Sequence, residues 1–211
     1  MRRPRFIAEQ ARCAEGPLGR FIAFVMARET WGHNLRAIEA LDIRPGESVL
    51  DVGCGPGRSL AELARRAQGG RIVGADPSKL MARVATRRVR KFQAEIVVAS
   101  AAALPFEDGA FDKALCVHVI YFWNDLEAAF REIARVLKPG GRLALLFRTS
   151  ADEAAVRAFP AEVYRFHVLS DVVAPLEAAG FAVDVHDALR GEHNTPMLLI
   201  AAKRRASIPR Q

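Results

Sequence analysis

The chain has no apolar run long enough to cross a bilayer. Its longest strongly apolar segment, residues 21–27, falls far short of the ~20 residues that a membrane helix requires. The opening Met1-Arg-Arg-Pro-Arg is basic, but neither an adequate apolar stretch nor a small-residue cleavage site follows, so a cytoplasmic protein is expected. Cysteine is scarce. Cys13, Cys54 and Cys116 are scattered and odd in number, which argues against a disulfide framework and against zinc held by paired cysteines. His167, His186 and His193 lack Asp, Glu or Cys partners at ligand spacing, and no metal is expected. Lysine is rare as well: 26 of the 31 basic residues are arginine. The net charge of +7 therefore reads first as compositional bias and solvated faces. The basic stretch 83–91 lacks the interleaved aromatics of a base-stacking platform, so a nucleic-acid partner is not expected.

What is present is an ordinary globular composition, 51% apolar and 26% charged, in 211 residues. That length suits one well-cored domain with an appendage. Residues 1–40 are helical in pattern and interrupted at Gly16-Pro17. From residue 45 the pattern alternates. Strands are expected at 49–52, 71–76, 95–99, 111–117 and 142–147, and helices at 59–67, 78–89 and 126–137. Such alternation means parallel strand–helix–strand units with helices on both faces of the sheet. A helix at 170–179 follows, then two strands, 181–186 and 197–202, that can form an antiparallel edge hairpin around the polar loop 187–195. The expected organisation is a helical cap at 1–40, an α/β unit at 41–203 and a basic tail at 204–211.

The chemistry concentrates at Val49-Leu-Asp-Val-Gly-Cys-Gly-Pro-Gly. Glycine at 53, 55 and 57 lets the chain turn sharply out of a buried strand and leaves no Cβ between backbone and ligand. The dinucleotide fingerprint Gly-x-Gly-x-x-Gly would have its third glycine at 58, where this chain has arginine. Asp51 puts a carboxylate just ahead of the turn, which suits a cationic or zwitterionic cofactor better than a pyrophosphate. Asp76 ends the next strand, where a carboxylate can accept both hydroxyls of a ribose; alternatively it caps the helix that follows.

These residues, with Gly74-Ala-Asp-Pro-Ser, Leu104-Pro-Phe-Glu-Asp-Gly-Ala-Phe-Asp and Arg135-Val-Leu-Lys-Pro-Gly-Gly-Arg-Leu, resemble the class I S-adenosylmethionine-dependent methyltransferases, of the small-molecule, quinone-biosynthesis type. The resemblance covers about residues 45–150. It implies a Rossmann-like, doubly wound, mostly parallel seven-stranded sheet with an antiparallel edge hairpin and an N-terminal helical lid. It also implies S-adenosyl-L-methionine as methyl donor, with S-adenosyl-L-homocysteine as product. By position, Gly53, Cys54 and Gly55 would lie against its methionine part, Asp51 would organise the amino group, and Asp76 with Pro77 would hold the ribose. Val117 would line the same site. Where many relatives have an adenine-binding Asp, this chain has Ser100, followed by Ala101, whose hydroxyl and amide would meet the base.

The acceptor side is expected around residues 117–125, which leave the fourth strand beside the reacting methyl. His118 and Tyr121 are the catalytic candidates, His118 as a general base or as a structural residue. Trp123, with Met26, Trp31 and His33 from the N-terminal helices, would form the substrate pocket. Those helices act either as a lid or as packing on the sheet edge or a dimer contact. The expected function is methyl transfer to a small-molecule acceptor by a monomer or homodimer. The alternatives are a phospholipid N-methyltransferase with peripheral membrane contact, an RNA methyltransferase and a non-catalytic cofactor-binding protein.

Overall fold

The computed structural model describes residues 3–186 and 196–205. The loop expected at 187–195, with His193, and the tail beyond residue 205 lie outside the described residues. Three helices come first: α1 (Arg5–Arg12), α2 (Gly16–Glu29) and α3 (Trp31–Ala40). Gly16-Pro17 starts α2, since proline needs no N–H in the first helical turn. A second break, not expected, falls at Thr30, whose hydroxyl donates to the Met26 carbonyl at 2.9 Å and bends the path into α3.

Alternation then follows as expected: β1 (Val49–Val52), α4 (Arg58–Ala67), β2 (Ile72–Asp76), α5 (Lys79–Val89), β3 (Glu95–Val98), β4 (Phe111–Val117), α6 (Leu126–Val136) and β5 (Leu137–Phe147). A short helix α7 (Glu153–Ala158), for which the sequence shows no clear period, precedes α8 (Leu169–Ala178), β6 (Phe181–His186) and β7 (Met197–Lys203). Among the described residues no helix is long and apolar enough to cross a membrane.

The seven strands form one sheet in the order β3-β2-β1-β4-β5-β7-β6. Strands β1 to β5 pair in parallel; β7 runs antiparallel between β5 and β6. The strand order reverses between β1 and β4, and in open α/β sheets ligands bind at that switch point, beyond the carboxyl ends of the strands. Every residue of β1 and β2 is buried, because helices cover both faces. One face packs Phe111, Phe130, Phe147 and Phe181, fully buried and contributing about 1.5–3 kcal/mol each. The other packs Ile38, Leu41, Leu60 and Leu63 against Leu115 and Leu146.

Strand β5 begins earlier than residue 142. Leu137 already pairs with Phe111, the register shifts, and pairing resumes at Lys113↔Arg142. Residues 138–141 bulge out of the ladder, with Gly140 at φ +81°, so the turn that sequence patterning places before the strand lies inside it.

Candidate functional site

The glycine turn closes on itself. The amides of Gly53 and Cys54 both donate to the Ala75 carbonyl of β2, at 2.7 and 3.1 Å, and Gly57 donates to the Cys54 carbonyl at 3.0 Å. The Gly55 amide donates to Asp76 Oδ2 at 2.9 Å. A phosphate-binding turn directs such amides at its ligand; here the protein itself uses them. Gly53 must be glycine on two counts. Its φ is +77°, and a Cβ there would stand 2.3 Å from Val119 Cγ1.

Asp76 lies at the end of β2, almost wholly buried. Its Oδ1 accepts the Ser78 amide at 2.9 Å. Ser78, not Asp76, caps α5, its hydroxyl oxygen accepting the Met81 amide at 3.3 Å. The capping alternative for Asp76 is thereby removed, and each of its oxygens keeps a lone pair for a further donor. Burial raises its carboxyl above the ordinary value, and the two amides work against that. The Ser78 hydroxyl donates in turn to the Ala14 carbonyl at 2.7 Å, tying the α1–α2 connection to this strand end.

A cavity of about 620 Å³ opens here, a size typical of small-molecule sites. Gly53, Cys54, Gly55, Asp76, Pro77, Ser100, Ala101 and Val117 line it, as do Met26, Trp31, His118 and Trp123. Asp51 is not in its wall. It lies buried beneath the turn and accepts a short hydrogen bond from the Ser59 hydroxyl of α4. Burial pushes its carboxyl up to about 7; the Ser59 hydroxyl opposes this and the Asp76 charge adds to it. Burial and the two carboxylates push the Cys54 thiol well up, so it stays protonated. Thus the polar floor carries one carboxylate, Asp76, with Asp51 buried beneath, and no free backbone donor from the turn's amides at 53, 54, 55 and 57. That acceptor set fits a sugar diol and a positively charged group.

The N-terminal helices form the opposite wall, and Arg58 fastens them. Its Nη1 donates to the Ala27 carbonyl at 3.1 Å, and its guanidinium lies 4.2 Å from the Trp31 ring centroid, a cation–π contact. This arginine occupies the position of the missing fingerprint glycine.

A second cavity, about 400 Å³, adjoins the first, and Met26, Thr30 and His118 line both. His33 and Tyr121 line it with Phe159, Tyr164 and Phe166. Tyr121 lies 5.1 Å from Phe166 and 5.6 Å from Tyr164 between ring centroids, and Phe159 lies 4.5 Å from Tyr164. Arg148 pairs closely with Asp152 at its edge, and Arg3 lies 3.5 Å from Glu29. Sequence reasoning found His118, Tyr121, Met26 and His33 but missed Arg148 and the aromatics at 159, 164 and 166. Their only signal is an aromatic cluster in a segment without helical or strand period.

His118 stands between the cavities in the left-handed region, φ +57°, which costs a non-glycine residue about 1 kcal/mol or more. Both of its ring nitrogens are engaged, Nε2 at 2.8 Å from His33 Nδ1 and Nδ1 at 3.0 Å from the Tyr121 hydroxyl. The Tyr121 oxygen already accepts the Arg148 amide at 2.6 Å, so its own proton is free to go to His118 Nδ1. Satisfying the chain in this way puts the His118 proton on Nε2, directed at His33. Burial, His33 and Arg148 push His118 down to about 3, and burial first, then Arg148 and Arg36, lowers His33. Both rings are neutral near pH 7, and His118 has no lone pair left over. His167 is partly buried beside α8, and His186 is exposed, 3.1 Å from Asp184. Neither joins the site.

The family described as a methyltransferase domain matches residues 50–145. The uncharacterized methyltransferase YdaC of Bacillus subtilis is 30% identical over 158 residues, 75% of this chain and 84% of YdaC. A demethylmenaquinone methyltransferase of Corynebacterium kroppenstedtii is 37% identical over 129 residues, 57% of this chain and 54% of that protein. The chain thus spans most of YdaC but about half the length of the quinone enzyme. In fold it is similar to an S-adenosylmethionine-dependent methyltransferase of Methanosarcina mazei, with TM-score 0.65, 22% identity, and coverage of 80% of this chain and 97% of that one. Matched along most of YdaC, and carrying the family's turn and strand order, this chain belongs to the S-adenosylmethionine-dependent methyltransferases.

Proposed function

We propose that the chain transfers a methyl group to a compact, ring-bearing small molecule seated in the second cavity. The observation that carries this reading is the junction of the two cavities at Met26, Thr30 and His118, with the aromatic walls of Tyr121, Phe159, Tyr164 and Phe166 beyond it. The name of the demethylmenaquinone relative supports a ring-bearing acceptor. In this reading residues 1–40 are a cap over a catalytic unit at 41–203, and the acceptor is enclosed between them.

S-adenosylmethionine would supply an electrophilic methyl on a sulfonium: the new bond to the acceptor atom would form from the side opposite sulfur as the carbon–sulfur bond breaks, S-adenosylhomocysteine would leave, and a proton on the acceptor would pass to water. The chain's part is to bind and align. Asp76 would accept from the ribose hydroxyls through its spare lone pairs, and Ser100 with the Ala101 amide would meet the base edge. Asp51, from beneath the turn, supplies negative charge toward the cationic end. His118 is a positioning residue. Held by Tyr121 and His33, it stays neutral, so the wall next to the reacting centre does not repel a sulfonium. Alignment of two bound reactants can itself contribute roughly 7–11 kcal/mol of barrier lowering.

The test is turnover of methyl-labelled S-adenosylmethionine with a panel of ring phenols, hydroquinones and heteroaromatic amines, beside phosphatidylethanolamine vesicles. Label on a ring compound is the expected result. Label on the phospholipid alone, or donor binding weaker than about 1 mM, overturns the reading.

A further inference from the structure

Helix α2 is apolar on both sides. At 100° per residue, Ile22, Ala23 and Met26 face inward, and Ala23 and Met26 reach the first cavity. The opposite stripe carries Leu18, Phe21 and Phe24, which are 50%, 65% and 51% exposed. Phe6, on the helix packed beside it, is 53% exposed. Helices at the surface of a globular protein normally turn charge outward, and an all-round apolar helix is one that something covers. Arginines border this stripe. Arg20 lies one turn from Phe24, Arg28 lies two turns from Phe21, and Arg12 ends α1; all three are exposed. Among the described residues none of the three forms an ion pair, whereas Arg3 and Arg5 are matched by Glu29 and Glu9.

We propose that this outer face of α1 and α2 docks on an anionic lipid bilayer. Phenylalanine and leucine would enter the boundary between headgroups and acyl chains, and the arginine stems would run along the apolar surface with their guanidinium groups at lipid phosphate. Charge selects this occupant. The three exposed arginines call for an anionic surface beside the apolar stripe. A nucleic acid would answer the arginines but would offer Leu18 no apolar surface. The net charge of +7 favours approach to an anionic membrane as a whole. A bilayer on this face would lie one helix thickness, ~10 Å, from the cavity wall formed by Met26. The docking does not depend on which acceptor is methylated.

Flotation of the full chain with vesicles tests it without turnover. With equal phosphatidylglycerol and phosphatidylcholine the protein floats, less at higher salt, and with phosphatidylcholine alone it stays behind. Joint Phe21→Ala and Phe24→Ala substitution lowers the partition at least about tenfold. Joint Arg20→Gln and Arg28→Gln substitution lowers it about tenfold or more. Both variants keep the wild-type melting temperature, because the side chains are exposed. Three results would overturn the proposal: no flotation at either salt, a phenylalanine variant that floats like wild type, or a wild-type dimer in solution that the phenylalanine substitutions dissolve.

Discussion

The two cavities meet at one histidine and are built differently. The first rests on backbone: a turn whose amides are spent on Ala75 and Asp76, a strand end, and a carboxylate buried beneath. The second rests on side chains brought from α2, α3, the residues after β4 and the segment between α7 and α8. A backbone-built site tolerates little variation, because its geometry is its function; Gly53 has no room even for a methyl group. A wall of rings can be re-cut by substitution without touching the sheet. One fold can therefore keep its donor and change its acceptor.

Substitutions on the two sides should separate cleanly. Asp76→Ala has the largest expected effect, a loss of ~2–4 kcal/mol in S-adenosylmethionine and S-adenosylhomocysteine binding, read by calorimetry. Unchanged affinity would mean that the donor side is not organised by this carboxylate. Tyr121→Phe acts on the other cavity. It leaves the Arg148 amide and His118 Nδ1 without their partner and should cost about 2 kcal/mol of stability in urea unfolding. Acceptor KM should rise while S-adenosylhomocysteine affinity stays put; a matching fall in donor affinity would show that the two cavities are one.

Titration offers the most particular test, with an effect that is small per pH unit. Asp51 is raised from 3.8 to about 7 in the folded chain, so its contribution is full below 3.8 and lost as pH rises through 7. His118 is lowered from 6.5 to about 3, so its contribution is full above 6.5 and lost as pH falls toward 3. Between 3.8 and 6.5 the two slopes oppose, each at most about 1.4 kcal/mol per pH unit. Compared with wild type, Asp51→Asn should therefore gain stability as pH rises across that window, and His118→Gln should lose it. Unfolding curves at several pH values decide; two variants parallel to wild type would refute both shifts.

The same contrast explains what sequence reasoning reached. The first cavity was legible because its parts are local or regularly spaced: a strand, a glycine turn and a helix within 49–67, then one acidic strand end. Ser100 and Ala101 could be placed because they precede a recognisable loop. Asp51 was expected to organise the ligand's amino group; the structure holds its carboxyl beneath the turn, on Ser59, eight residues along. The second cavity depends on contacts such as His33 with His118, 85 residues apart, which no local period encodes. Residues 159–166 carry three rings but neither helical nor strand spacing, and α7 is too short for a period to show. The antiparallel β7, in contrast, was readable as a hairpin partner, although its insertion between β5 and β6 follows only from tertiary pairing.

The self-satisfied turn has a consequence for selectivity. Phosphorylated adenosine compounds share the ribose and the base with the methyl donor and would reach Asp76 and Ser100 equally well. At the turn, the amides of Gly53, Cys54 and Gly55 are already committed, and the buried Asp51 carboxyl lies beneath them. An anion entering there would lose water and find no donor among these amides, whereas a cation would favour the ionised form of Asp51, whose carboxyl burial raises to about 7. On the proposed reading, the turn would disfavour a phosphate, which meets no donor among these amides, while leaving the Asp76 carboxylate open to a ribose.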